Sequence, residues 1–248
     1  MATIEFRNIY KAFGLKRVLE GVSLSVDKGK VVFIIGTSGA GKSVLVKHLV
    51  GLLKPDAGEI FLDGREITNL SEREFYPIRK RCAMVFQHST LFDSMSLLDN
   101  VALPLRKHRK LRQHEAQEQA LKKLELVEME RFADRYAADI GDGLRKRVAI
   151  ARALTLDPEF MIFDEPTTGL DPLSAANVDQ LISSLSNQGV TSIVVSHDLR
   201  SIFHVADRIA MIYKGHILLD GTPDEFHGTT DPIVQQFIRG LPEGPLEI

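Results

Sequence analysis

Short, unbroken apolar runs recur along the chain. "VVFIIG" (31–36), "CAMVFQ" (82–87), "FMIFDE" (160–165), "TSIVVS" (191–196) and "RIAMIY" (208–213) each end where glycine or a polar residue enters. Runs of this length predict strands buried on both faces, the pattern of a parallel sheet covered by helices. Near the start, "TIEF" and "SLSV" alternate apolar and polar residues instead, which predicts half-exposed strands. "VVFIIG" is followed by "TSGAGKSVLVKHLVGLL", where Val44, Leu45, His48, Leu49 and Leu52 recur with helical spacing. Strand, glycine loop and helix open a parallel α/β unit.

Asp63-Gly64 predicts a hairpin turn, and Asp220-Gly221 predicts another near the end of the chain. From Pro104 to about Leu154 the pattern becomes helical and rich in charge. There "HEAQEQALKKLELVEM" places Ala116, Ala120, Leu121, Leu124 and Val127 on one face. The pattern predicts a helical subdomain, about residues 89–157, inserted into a domain spanning 1–240. "DPIVQQFIRG" predicts a final helix opened by Asp-Pro. Two prolines and a glycine in "LPEGPLEI" (241–248) predict a loose tail or a partner contact.

A chain of 248 residues fits one large domain, or a core with one insertion. The net charge of -2 gives no reason to expect nucleic acid as a partner. One cysteine, Cys82, excludes an internal disulfide and fits a reducing compartment. No stretch approaches the ~18 apolar residues of a membrane span. "MATIEFRNIYK" does not read as a secretory leader. The expectation is a soluble, cytosolic chain that reaches a membrane only through a partner.

The strongest chemical signal is Gly36, Thr37, Ser38, Gly39, Ala40, Gly41, Lys42 and Ser43, which fit G-x-x-x-x-G-K-[ST]. Glycines let backbone N–H groups turn toward a phosphate, and the following helix N-terminus adds partial positive charge. Lys42 is placed to reach the β- and γ-phosphates, and the Ser43 hydroxyl to ligate Mg2+. Asp164, ending a buried strand, suits an acid that holds Mg2+, and Glu165 beside it suits a group that polarises water. Gln87 and His197 follow two other buried strands, at the sheet edge where ligands bind in open α/β folds. Asp171 in "GLDP" reads either as a turn residue or as part of the site. Phe13 reads either as core or as a stacking surface for adenine.

Taken in order, this set resembles the ATP-binding cassette (ABC) family over nearly the whole chain. It comprises the aromatic Phe13, the phosphate loop, Gln87, a helical region, the position of the signature loop, Asp164-Glu165, Asp171 and His197. Within the family, "GKSVLVKHLVGLLKPDAGEI", "VFQHSTLFDSMSLLDNVALPLR" and "DPIVQQFIRG" resemble the MlaF-like branch of MCE-associated lipid transporters. The resemblance implies an α/β P-loop NTPase fold with an antiparallel β subdomain and an inserted helical subdomain. It implies an ATPase using ATP and Mg2+, with Glu165, His197 and Lys42 catalytic and Ser43, Gln87 and Asp164 organising Mg2+. It implies a homodimer on the cytoplasmic face of the inner membrane, beneath an integral permease. An MCE-domain lipid-binding protein and a small STAS-domain subunit are the further implied partners. Other ABC importers share most of the motifs, whereas soluble cassettes of translation or repair usually carry two cassettes or a long coiled-coil insertion, and this chain has one cassette and no sustained heptads.

One stretch departs from the pattern. "LRKRVAIARAL" fixes the register of the signature loop, which usually reads LSGGQ or LSGGM and here reads Ile140, Gly141, Asp142, Gly143, Leu144. In a family dimer, Gly141, Asp142 and Gly143 would meet the ATP of the partner subunit. A serine hydroxyl lost at Gly141 removes a charge-assisted hydrogen bond worth about 1.5–3 kcal/mol. An ionised Asp142 near a triphosphate adds repulsion of about 4 kcal/mol per charge pair at 4 Å, before screening. Asp142 also suits the N-cap of the following helix. The departure leaves two alternatives open: a slow ATPase, and a regulatory cassette that binds ATP without turning it over.

Overall fold

A computed structural model describes residues 2–246 as two sheets, a helical layer and one further helix-rich region. Strands β1 (Ala2–Phe13), β2 (Lys16–Asp27), β4 (Ala57–Leu62) and β5 (Arg65–Glu66) form an antiparallel sheet in the order β2-β1-β4-β5. The other sheet holds β3 (Val31–Ile35), β6 (Cys82–Val85), β7 (Phe160–Asp164), β8 (Thr191–Val195), β9 (Arg208–Tyr213) and β10 (His216–Gly221), in the order β10-β9-β3-β8-β7-β6. Only β10 runs antiparallel to its neighbour. The nine α-helices among the described residues are α1 (Lys42–Leu49), α2 (Glu72–Arg81), α3 (Leu97–Arg109), α4 (Gln113–Glu125), α5 (Asp142–Ala153), α6 (Pro172–Asn187), α7 (Leu199–Val205), α8 (Pro223–Gly228) and α9 (Pro232–Arg239). None of them is long and apolar enough to cross a membrane.

The unbroken apolar runs are buried on both faces, as their composition predicts. In β3, Val32 and Ile34 join a core shared with the antiparallel sheet and with Leu45 and Leu49 of α1. Val31, Phe33 and Ile35 join the opposite core with Val178 and Ile182 of α6 and Ile202 of α7. A third core lies in the helical region, where Val101 and Leu105 of α3 pack with Ala116, Ala120 and Leu124 of α4. Helix α5 serves two cores: Ile150 belongs to the second, while Val148 and Ala151 belong to the third. That helix therefore joins the helical region to the sheet.

Several local expectations are corrected. The apolar face of α1 stops at Leu49, because the chain turns at Gly51 (φ 66°) and leaves Leu52 exposed. Leu121 is exposed beside a stripe that Ala116, Ala120 and Leu124 already fill. Helical structure begins at Leu97 rather than Pro104, set by Ser96, whose side chain accepts the Asp99 N–H at 3.0 Å. The Asp63-Gly64 turn is present, with φ of 50° and 75°, as a two-residue hairpin of this type requires. The later hairpin turns at Lys214-Gly215 (φ 46° and 78°), and Asp220-Gly221 ends its second strand instead. Of the predicted tail at 241–248, Leu246 N–H donates to Gln236 Oε1 at 2.6 Å, and residues 247–248 lie outside the described residues.

His48 carries a further consequence of this packing. It is 1% exposed, and its Nδ1–H donates to the Leu45 carbonyl at 3.3 Å, which leaves Nε2 without a partner. Burial pushes the imidazole from 6.5 down to about 4, with the Leu45 carbonyl opposing the shift and Lys11 adding to it. Between those two values the unfolded chain binds more protons than the folded one. Stability from neutral His48 is therefore complete above about pH 6.5 and is lost as pH falls toward 4. Urea denaturation at pH 7 and pH 5 should show a loss of about 2 kcal/mol from this group, and His48→Leu should remove that part of the difference.

Candidate active site

Parallel register brings the predicted residues together. Ile34 of β3 lies opposite Val195 of β8, Val195 lies opposite Asp164 of β7, and Phe163 lies opposite Val85 of β6. The segments that follow these strands therefore emerge at one carboxyl edge. A cavity of about 590 Å³ opens there, lined by Phe13, Gly36, Ser38, Gly39, Gly41, Lys42, Ser43, Gln87, Glu165 and His197. Thr37 and Ala40 belong to the same loop, with Ala40 turned into the core.

The loop geometry requires glycine at two places. Gly36 has φ 140°, and a Cβ there would stand 2.1 Å from the Ile212 carbonyl oxygen. Gly41 has φ 100°, and its Cβ would stand 2.7 Å from Leu19 Cδ2. Helix α1 begins directly afterwards at Lys42, so its first N–H groups face the loop. Lys42 is buried, and its Nζ donates to the carbonyls of Gly36 and Thr37, each at 2.9 Å. Burial lowers its pKa, and the charges of Glu165 and Asp164 oppose that shift. The ammonium is held inside the loop, where a phosphate could take over from the two carbonyls.

Ser43 Oγ donates to Asp164 Oδ1 at 2.6 Å, joining the phosphate loop to the end of β7. Among the described residues no three His, Cys, Asp or Glu side chains gather to hold a metal. A hydroxyl, one carboxylate and Gln87 fit Mg2+, which keeps waters and takes phosphate oxygens to complete its shell.

Glu165 has φ 55°, a left-handed conformation that costs a non-glycine residue about 1–3 kcal/mol. Its N–H donates to the Val195 carbonyl at 2.9 Å. Its Oε2 accepts from Thr168 Oγ1 at 2.8 Å and from His197 Nδ1 at 2.7 Å. A carboxylate only accepts, so Nδ1 carries the proton in this arrangement. Nε2 of His197 can then donate to a phosphate only if the ring is charged or leaves Glu165.

The signature residues stand apart from this cavity. Asp142 lines a second groove of about 400 Å³ with Gln87, Arg145, Lys146, Thr168 and Gly169. Gly141, not Asp142, takes the N-cap position of α5 (φ −71°, ψ 164°), and no side chain caps the helix. Asp142 is the first helical residue, so its expected N-cap role is not observed. It still places negative charge at the positive end of the helix. A Cβ added at Gly143 would meet Ser174 Oγ at 3.4 Å and Leu170 Cδ2 at 3.6 Å. Asp171 caps α6, accepting from the N–H groups of Leu173 and Ser174, both at 3.0 Å. Those bonds, with one from the Ser174 hydroxyl foremost, hold its carboxylate below the usual range.

Sequence reasoning missed Lys16 and Val18, which line the cavity from β2, and Thr168, which holds Glu165. It also missed Lys146, buried beneath the turn that carries Glu165. For Lys146 a signal existed, since Asp142 and Lys146 are four residues apart in a helix.

A glycine loop at a helix start, a hydrogen-bonded serine–aspartate pair whose donors fit Mg2+, and a glutamate at the end of a buried strand define a P-loop nucleotide-hydrolase site. Residues 19–168 match the family described as "ABC transporter", more than half of the chain. The "Intermembrane phospholipid transport system ATP-binding protein MlaF" of Haemophilus influenzae is 39% identical over 244 residues, covering 98% of this chain and 92% of its own. The "Probable ribonucleotide transport ATP-binding protein mkl" of Mycobacterium leprae is 38% identical over 244 residues, covering 98% of this chain and 70% of its own. A dimeric ATP-binding cassette in a post-hydrolysis state, bound to ADP and Pi, superposes with a TM-score of 0.83 at 31% identity, over 89% of this chain and 98% of that one. The chain belongs to the ABC transporter family, as an ATP-binding ATPase cassette.

The two glycine environments predict opposite outcomes. Gly36→Ala should lower unfolding free energy by at least ~2 kcal/mol, because the Ile212 backbone cannot yield. Gly141→Ser, where a Cβ meets nothing within 4 Å, should stay within about 0.5 kcal/mol of the parent. Chemical denaturation of both variants measures the contrast.

Proposed function

We propose that this cassette couples ATP hydrolysis to the movement of phospholipid between membranes. The supporting observation is likeness to phospholipid-transport ATP-binding proteins along almost their whole length. That of Haemophilus influenzae is 39% identical with 92% of it covered, and that of Escherichia coli K12 is 36% identical with 91% covered. In this reading two copies pair head to tail beneath an integral permease, on the cytoplasmic face of the inner membrane. An MCE-domain protein and a small STAS-domain subunit complete the assembly. A second reading, nucleotide transport, rests on the comparable likeness to the mycobacterial protein named for ribonucleotides.

The residues take the following roles. Phe13 offers a half-exposed ring to adenine. The backbone from Gly36 to Ser43 surrounds the phosphates, and Lys42 exchanges its two loop carbonyls for phosphate oxygens. Ser43, Asp164 and Gln87 would hold Mg2+, which supplies charge neutralisation across the phosphates when bound. Glu165 orients and polarises the attacking water, and His197 fixes the Glu165 carboxylate while sensing phosphate. Gly141, Asp142 and Gly143 face the nucleotide of the partner subunit, and Asp171 anchors the loop between the two sites.

The altered signature limits closure of the dimer and leaves nucleotide binding by the chain's own loop intact. Gly141→Ser combined with Asp142→Gly should raise turnover of the assembled complex about tenfold or more, from the hydrogen bond regained and the repulsion removed. An unchanged rate would show that the signature does not limit turnover. Glu165→Gln should keep ATP affinity and lower turnover by at least about a hundredfold. Purification from membranes identifies the permease, and transfer of labelled phospholipid between vesicles by the reconstituted complex then tests the substrate. ATP-dependent uptake of nucleotide without lipid transfer would favour the second reading.

A further inference from the structure

Helix α5 begins at the signature loop and carries one almost fully buried cation, Lys146, which is 5% exposed. Its Nζ donates to the backbone carbonyl of Glu165 at 3.1 Å and to that of Thr168 at 2.5 Å. These two carbonyls stand at the two ends of the turn that follows β7. Within the same turn, Thr168 Oγ1 donates to Glu165 Oε2 at 2.8 Å. Glu165 is also the residue whose left-handed φ of 55° takes the backbone out of the strand. One ammonium therefore fastens both ends of a strained turn, and the side chains of the turn close it from within. Asp142 lies one helical turn before Lys146, and both line the groove shared with Thr168 and Gly169. Burial lowers the proton affinity of Lys146, and the charges of Glu165 and Asp142 oppose that shift only in part.

We propose that Lys146 is a positioning residue that couples the signature loop of this chain to its own Glu165 turn. The proposal rests on the reading of Glu165 as the group that polarises water. In a head-to-tail dimer the signature loop meets the partner's nucleotide, while Glu165 serves the chain's own. Helix α5 is a rigid element between them, packed on two cores. A displacement at its N-terminus is carried to Lys146, and from there to the carbonyls that set the Glu165 backbone. Asp142, exposed one helical turn earlier, contributes a favourable charge to the buried ammonium without contacting it.

The test uses the assembled transporter with Lys146→Met, which keeps length and loses the donors, Lys146→Arg, which keeps donors, and Glu165→Gln. The readouts are kcat and KM for ATP in the complex, with ATP affinity and melting temperature of the purified chain. Lys146→Met should lower kcat at least about tenfold while KM and ATP affinity stay within about twofold. Lys146→Arg should recover at least about half of the kcat. If Lys146→Met keeps the parent kcat while Glu165→Gln abolishes turnover, the coupling is overturned and the site reading stands. If Glu165→Gln retains turnover, both are overturned. Should Lys146→Met also melt several degrees lower, the arginine variant decides at normal melting temperature. Recovered kcat supports the clamp, and kcat as low as that of methionine overturns it.

Discussion

The in-register parallel ladder of β3, β8 and β7 is the constraint on which the site depends. Ile34, Val195 and Asp164 lie side by side across three strands, so the loops that follow leave the sheet at one level. The hydrogen bond from Glu165 N–H to the Val195 carbonyl extends that ladder by one residue. It places the Glu165 carboxylate beside His197, two residues past the end of β8. The same alignment sets Asp164 against Ser43 at 2.6 Å. A one-residue slip of a strand buried on both faces would exchange its two sets of core side chains. Packing on both sides thus fixes the chemistry at the edge. Phe33 and Phe163 are both fully buried in the core that includes α6.

Much of this was readable from the chain. Apolar runs identified the strands, and the residues ending those runs identified Lys42, Ser43, Asp164, Glu165, Gln87 and His197 as neighbours. These features are local in sequence and obey short-range rules. What escaped was non-local or depended on one backbone angle. The bond between His197 and Glu165 joins two loops whose distance the sequence does not encode. The N-cap of α5 depends on extended backbone at Gly141, which displaces Asp142 by one position. The Lys214-Gly215 turn lacks the Asn-Gly or Asp-Gly signature of a tight hairpin, so the nearby Asp220-Gly221 drew the prediction. Lys146 resembles any solvated helical lysine until the β7 turn is packed over it.

Charge around the start of α5 is more balanced than the sequence implies. Asp142 faces a helix N-terminus and stands one turn from buried Lys146. Arg145 is committed elsewhere, donating to the Ala137 carbonyl at 2.6 Å and to Asp93 Oδ1 at 2.7 Å. Arg145 and Lys146 thus tie down the helix and the Glu165 turn and do not stand free to draw a partner's phosphate. The carboxylate can be favourable inside one chain and unfavourable between two. That distinction separates binding from closure: the phosphate loop, Lys42 and the Ser43–Asp164 pair are complete within one chain, whereas in the proposed head-to-tail dimer the signature acts across an interface.

Sedimentation velocity of Glu165→Gln protein with Mg2+ and saturating ATP, with bound nucleotide counted in the same samples, tests that separation most directly. One ATP per chain on a monomer is expected, with dimer appearing when Gly141→Ser and Asp142→Gly are added. A dimer equally tight with and without those two changes would contradict it.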